Sequence, residues 1–180
     1  PGCGYGGSCF PKDVKALIKT ADKYGYSMSV LKAVESVNEK QKTVLFEKLY
    51  NYYEGNLKGK TIALWGLAFK PETDDMREAT SLVTIKLLLK EGCKVVVYDP
   101  IAMQECMRRI GEVVTYANNM YDCVFNADAL LLLTEWKIFR LPKWNVLKER
   151  MVVPLLIDGR NLYDHNEVIS NGIIYMSIGS

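Results

Sequence analysis

The chain has 180 residues, 49% of them hydrophobic and 24% charged, with a formal net charge of +2. That balance fits a globular chain of one ordinary domain, or one domain and part of another. Interspersed charges leave no basic stripe for nucleic acid, and no run of about 18 apolar residues reads as a membrane span. The five cysteines, at 3, 9, 93, 106 and 123, form no C-x-x-C pair, and His165 is the sole histidine. A disulfide framework and a metal site are therefore not expected, whereas a reducing, cytoplasmic setting is. Residue 1 is a proline inside a loop pattern, so the chain is expected to be the C-terminal part of something longer.

Four glycines between Gly2 and Gly7 lead into Ser8-Cys9-Phe10-Pro11-Lys12-Asp13. Pro11 suits the first turn of a helix, which places Cys9 just before it. A thiol there faces unpaired N–H groups and the positive end of the helix dipole, a setting that favours the thiolate. Lys12 adds to that field. Asp13 opposes it but can orient a water or a substrate hydroxyl. The competing reading makes Cys9 a small buried residue after a Gly-rich turn. Val14, Leu17, Ile18 and Ala21 continue at helical spacing as far as Gly25.

From Met28 to about Tyr53 there is no Gly or Pro, and the pattern predicts one long helix of about 38 Å. It serves either as a dimerisation surface or as a solvated link between domains. The turn-rich stretch Gly55–Lys60 marks a domain boundary, with a helical segment over 1–56 and a second domain over 57–180.

The rhythm then changes. Strands are expected over 62–65, 95–98, 113–115, 129–133, 152–157 and 173–176. Helices are expected over 76–91, 103–110, 119–126, 137–150 and 165–170, with a capping box between Asp75 and Glu78 opening the first. Strands apolar throughout and alternating with helices argue for an α/β class fold, a parallel sheet covered on both faces. Ligands bind such sheets beyond the carboxyl ends of the strands. Those ends hold Gly66 to Lys70, Asp99, Thr134 to Trp136, and Asp158 to Asn161.

A dinucleotide site on the first two strands is the tempting reading, with Asp99 as the ribose carboxylate. However, the first turn is Gly66-Leu67-Ala68-Phe69-Lys70-Pro71, not G-x-G-x-x-G, and it is too long and bulky to lay a pyrophosphate on a helix N-terminus. Lys70 and Arg77 can reach phosphates from the side, or belong to a solvated loop. Arg160 can fork onto a phosphate or sugar, or pair with Asp158 or Asp164.

The stretches Gly4 to Val14, Gly66 to Glu78, Tyr98-Asp99-Pro100, Thr134-Glu135-Trp136 and Asp158-Gly159-Arg160-Asn161 together resemble the UDP-glucose/GDP-mannose dehydrogenase family. The resemblance implies an NAD-dependent, four-electron oxidation of a sugar-nucleotide C6 alcohol to a carboxylate. In that scheme Cys9 captures the intermediate aldehyde as a thiohemiacetal, and the thioester formed from it is hydrolysed. Asp13 activates water or relays protons; Tyr5, Gly6, Lys70 and Arg160 contact the UDP-sugar; Lys12 and Arg77 approach the NAD. The resemblance also implies a Rossmann-like UDP-sugar-binding domain over 57–180, while the length of the helix over 28–53 makes a homodimer through the helical segment the expectation. It places the family's NAD-binding domain before residue 1, so the 180 residues alone are not expected to turn over substrate. Ser8 stands where relatives acting on UDP-N-acetylmannosamine carry His. Phe10 leans towards UDP-glucose over GDP-mannose, and a non-catalytic sugar-nucleotide-binding and dimerising module is the remaining alternative.

Overall fold

The computed structural model describes residues 2–179. In chain order the elements are α1 (Phe10–Lys23), α2 (Ser29–Gln41), α3 (Val44–Tyr52), β1 (Thr61–Trp65), α4 (Thr80–Lys90), β2 (Lys94–Tyr98), α5 (Met103–Ile110), β3 (Thr115–Tyr116), α6 (Met120–Cys123), β4 (Ala129–Leu132), a 3₁₀ turn (Lys137–Phe139), α7 (Trp144–Arg150), β5 (Leu155–Asp158), α8 (His165–Ser170) and β6 (Ile174–Ser177). The six strands form one all-parallel sheet in the order β3-β2-β1-β4-β5-β6. Thr61 of β1 registers with Lys94 of β2, and Ile62 with Ala129 of β4. The order reverses between β1 and β4, so the crevice beyond their carboxyl ends is the topological switch point. Among the described residues no helix is long and apolar enough to cross a membrane.

The strands are apolar throughout because both faces are covered. Alternation sends Ile62 and Leu64 into a layer with Leu45 and Leu49 of α3 and Ile85 and Leu88 of α4. It sends Ala63 and Trp65 into the opposite layer, with Cys123, Phe139 and Leu147. The Trp65 indole stacks on Phe139, with centroids 4.9 Å apart, and donates its Nε1–H to the Met120 carbonyl at 3.0 Å. Its ring is thus packed and its polar atom satisfied. Leu45 and Leu49 expose no surface, and each such burial contributes about 1.5–3 kcal/mol. α3 precedes the Gly55–Lys60 turn, yet its apolar face lies in the core of the sheet.

The helix expected over 28–53 is two helices. Thr43 divides them: its hydroxyl donates to the Lys40 carbonyl at 2.7 Å and its N–H to the same carbonyl at 3.0 Å. This local bonding tightens the turn and ends the α-helical ladder. α4 starts at Thr80 rather than 76, and no capping box forms. Asp75 accepts from the N–H and guanidinium of Arg77, while Glu78 sits at φ +54°, outside any helix. β5 begins at Leu155 rather than 152, because Pro154 has no N–H to give a ladder. β3 is confined to Thr115–Tyr116, and α6 to Met120–Cys123 under an Asn119 cap that accepts from two backbone N–H groups.

Two buried carboxylates finish the strand ends. Asp99 follows β2. Its Oδ2 accepts from Leu67 N–H at 2.7 Å, Ala68 N–H at 3.3 Å and the Trp136 indole at 3.0 Å. Its Oδ1 accepts from Ile101 N–H at 2.9 Å and Ala102 N–H at 2.8 Å. Asp158 closes β5: it accepts from the N–H groups of Arg160, Leu162 and Tyr163 and from the Tyr175 hydroxyl. Replacing Asp99 by Ala strands five donors in the interior. The expected loss is about 3–5 kcal/mol of unfolding free energy, read by urea denaturation. A loss under about 1 kcal/mol would show that the carboxylate does not hold these loops.

Candidate active site

α1 starts where Pro11 places it. Cys9 is its N-cap residue and Pro11 lies in the first turn. Cys9 is exposed, whereas Cys3, Cys93, Cys106 and Cys123 are buried, so Cys9 is not a core residue. Its carbonyl accepts from Asp13 N–H at 2.9 Å, and Ser8 Oγ stands 3.6 Å from its sulfur. Lys12 and Asp13 are exposed on the same turn, their charged atoms 3.4 Å apart.

The loop before Cys9 is clasped by its own chain. Asn38 of α2 brackets Tyr5: its Oδ1 accepts from Tyr5 N–H at 2.8 Å, and its Nδ2 donates to the Tyr5 carbonyl at 3.1 Å. Gln41 donates to the Gly2 carbonyl at 2.7 Å, and the Thr80 hydroxyl to the Cys3 carbonyl at 2.7 Å. Gly7 N–H donates to the Arg77 carbonyl at 2.8 Å. A Cβ on Gly6 would stand 2.5 Å from the Glu78 carbonyl oxygen, and one on Gly7, at φ +92°, 2.8 Å from the Phe69 ring. The bare Cα atoms thus permit the loop to lie flat on residues 69–78. The Tyr5 hydroxyl donates to the Glu35 carboxylate. Burial first, then that bond and the neighbouring carboxylates, push the Tyr5 phenol up to about 12.

Two hollows flank the loop. One, of about 410 Å³, is lined by Gly6, Gly7, Ser8, Cys9, Phe10, Phe69, Lys70, Thr73 and Asp75. The other, of about 570 Å³, is lined by Gly2, Gly4, Tyr5 and Arg160 and by the face of α2 that carries Val30, Ala33, Val34, Val37, Asn38 and Gln41. Gly6, Cys9 and Lys70 therefore share one hollow, and Tyr5 and Arg160 the other. Lys12, Asp13 and Arg77 line neither.

Arg160 reaches this loop because Gly159 packs closely: a Cβ there would meet the Leu132 carbonyl at 2.7 Å and Leu45 at 2.8 Å. The Arg160 guanidinium pairs with neither Asp158 nor Asp164. Its Nε donates to the Leu133 carbonyl at 2.7 Å and its Nη2 to the Phe69 carbonyl at 3.2 Å. Glu135 Oε2 stands 3.0 Å from Nε as an ion-pair contact without a hydrogen bond, because that N–H is aimed at Leu133. Arg77 grips Asp75 through two parallel bonds of 2.9 and 2.8 Å. Those bonds hold the Asp75 carboxyl below the usual carboxylate range against the opposing effect of burial.

The crevice at the switch point does not fit a dinucleotide. Five donors of the chain itself, the Trp136 indole among them, take both oxygens of Asp99, the carboxylate a ribose would need. Sequence patterns did not single out Phe69, Asp75, Glu78 or Lys42 as partners of the loop. Asn38 and Gln41 carried a signal: two amides on an otherwise apolar helical stripe.

Comparison with known proteins joins both halves. Residues 63–165 match the family model for the UDP-glucose/GDP-mannose dehydrogenase family, UDP binding domain, and residues 1–40 match that family's central domain. UDP-glucose 6-dehydrogenase of Pseudomonas aeruginosa is 50% identical over 99% of this chain and 40% of its own length. UDP-glucose 6-dehydrogenase TuaD of Bacillus subtilis is 42% identical over 99% of this chain and 38% of its own. The structure of a UDP-glucose dehydrogenase from the hyperthermophilic archaeon Pyrobaculum islandicum superposes with a TM-score of 0.84 at 33% identity, over 97% of this chain and 38% of that one. The chain thus spans about 40% of the length of the curated relatives it matches. With a matched domain on each side of the Gly55–Lys60 turn and the Cys9 loop seated against residues 69–78, the chain belongs to the UDP-glucose/GDP-mannose dehydrogenase family.

Proposed function

We propose that the chain supplies the nucleophile and the sugar-nucleotide site of an NAD-dependent enzyme that oxidises UDP-glucose to UDP-glucuronate. The observation that carries this reading is the exposed Cys9 thiol at the start of α1, in one hollow with Lys70 and beside a second that holds Tyr5 and Arg160. The division proposed is a central helical segment over 1–56 and a UDP-sugar domain over 57–180. Arg160 and Lys70 offer cations to the diphosphate, and Tyr5 and Gly6 line the sugar side. Cys9 attacks the C6 aldehyde to form a thiohemiacetal, which holds the reactive carbonyl until it is oxidised to a thioester and hydrolysed. Asp13, one turn along α1, relays the proton or orients the hydrolytic water. NAD, when bound, would supply the hydride acceptor for the two oxidations. The residues that would face its phosphates are the exposed cations Lys12 and Arg77, not the sheet crevice. On this reading the 180 residues bind sugar nucleotide without turning it over, since they span about 40% of the relatives' length. A compartment that keeps Cys9 reduced, the cytoplasm, is part of the same proposal.

At the family's full length, Cys9→Ser is expected to lower NADH formation from UDP-glucose by at least about a thousandfold while leaving UDP-glucose affinity within about threefold. Unchanged turnover would remove Cys9 from the chemistry, and faster turnover of GDP-mannose than of UDP-glucose would replace the substrate. Arg160→Met in the 180-residue chain is expected to weaken UDP-glucuronate binding about 10- to 100-fold by calorimetry, the worth of a charge-assisted hydrogen bond. Equal affinity would place the diphosphate elsewhere.

The helical segment is further proposed as a homodimer surface. Val30, Val34 and Val37 follow helical spacing on α2 and are 76%, 37% and 64% exposed. Sedimentation equilibrium at micromolar concentration is expected to give twice the chain mass, and Val34→Asp with Val37→Asp to give the monomer. A monomer without substitution removes the dimer.

A further inference from the structure

Beneath the Cys9 loop runs a chain of alternating charges that the proposed chemistry does not use. Lys42, at the end of α2, is 2% exposed, and its ammonium lies 3.0 Å from both Glu39 Oε1 and Glu78 Oε2. The other oxygen of Glu78 lies 3.1 Å from Lys15 of α1. Lys15 approaches Glu35 at 3.9 Å, and Glu35 accepts the hydroxyl of Tyr5. Glu78 is the member that belongs to the other half of the chain. It sits between β1 and α4, in the loop that starts on Asp99, and everything it grips lies in residues 1–42.

Its backbone points the same way. Glu78 holds φ +54°, a left-handed conformation that strains a non-glycine residue. In that conformation its carbonyl lies against the bare Cα of Gly6, and the preceding carbonyl, that of Arg77, accepts Gly7 N–H. A strained residue that makes two ion pairs and also forms the floor of a loop is over-determined by its surroundings. The ion pairs are not the weak surface kind on the lysine side. Burial alone would push the Lys42 ammonium down, yet its hydrogen bonds to Glu39 and Glu78 outweigh burial and raise it. Glu78 is held below the ordinary glutamate range by Lys42 and then Lys15.

We propose that Glu78 is a positioning residue: its carboxylate, bridging Lys42 and Lys15, and its carbonyl, under Gly6, fix the loop that carries Cys9 onto the nucleotide-binding half. The importance of holding Cys9 rests on the proposed function; the latch itself does not. Its consequence is local. Releasing Glu78 frees residues 4–9 from the 69–78 loop while the parallel sheet stays intact.

The test reads the loop without substrate or cofactor. Glu78→Gln keeps the shape and removes the charge. Glu78→Gly removes the side chain at a φ that glycine adopts freely, so relief of strain offsets lost contacts and the fold is retained. In both variants the Gly7 amide is expected to exchange with solvent about tenfold faster, with amides of β1 and β4 unchanged. Alkylation of Cys9, the exposed cysteine among the described residues, by iodoacetamide is expected to quicken about threefold or more. Either variant suffices if the other does not fold. Unchanged Gly7 exchange, or an equal gain in β1 and β4, overturns the proposal. Since neither readout needs turnover, the latch can fail while Cys9 chemistry stands, and the reverse.

Discussion

The structure depends on one carboxylate at the end of β2. In a dinucleotide fold a glycine-rich turn brings β1 tightly into its helix, and the acidic residue after β2 is left free for a ribose. Here the acidic residue is turned inward. Asp99 accepts two backbone N–H groups from the turn after β1, two from its own turn and the indole of Trp136. Five bonds to one ion, away from water, fix where Leu67 and Ala68 lie. From that anchor the chain runs outward through Phe69 and Lys70 to Asp75, Arg77 and Glu78 before α4 begins. The long turn is therefore a built shelf, and the Cys9 loop rests on its outer part through Gly6 and Gly7.

The same device recurs at β5. Asp158 gathers three backbone N–H groups and a tyrosine hydroxyl, which tightens the turn that projects Arg160. Both ends of the site thus hang from buried carboxylates on strands whose apolar faces lock them in register. Neither carboxylate is spare for a ligand. A parallel sheet in dinucleotide order has in this way lost its dinucleotide crevice and gained a rim on which cations and a thiol are displayed.

The sheet was legible in the sequence because its strands are apolar on both faces and bounded by turns; that signal needs no partner. The start of α1 was legible for a local reason as well, since Pro11 and the glycines before it act within a few residues. The break at Thr43 was not, because a hydroxyl bonding back to Lys40 leaves helical periodicity intact on either side. Nor was the start of α4. Asp75 and Glu78 have the spacing of a cap, but Asp75 is captured by Arg77 and Glu78 by Lys42, thirty-six residues away. Long-range ion pairs leave no trace in local spacing. The same holds for Gly6 and Gly7, whose bare Cα atoms make room for Glu78 and Phe69 of the distant 69–78 loop.

The two arginines of the proposed site are already engaged, and this bears on how an anion would be met. Arg77 is held by Asp75 and Arg160 by Glu135 and two carbonyls, so neither fork is free to wander. A guanidinium held in one rotamer loses less entropy on binding than a mobile one. The accompanying carboxylates offset part of the positive charge, which weakens attraction to any single phosphate. An anion gains from such a rim only by meeting several of its groups at once, as an extended diphosphate does and an inorganic phosphate does not. Among the described residues Lys70 and Lys12 carry no such clamp beyond the exposed Asp13, and in the proposed function they are the members able to follow a ligand as it settles. In the proposed function the held guanidiniums select shape and the exposed ammoniums of Lys70 and Lys12 supply charge.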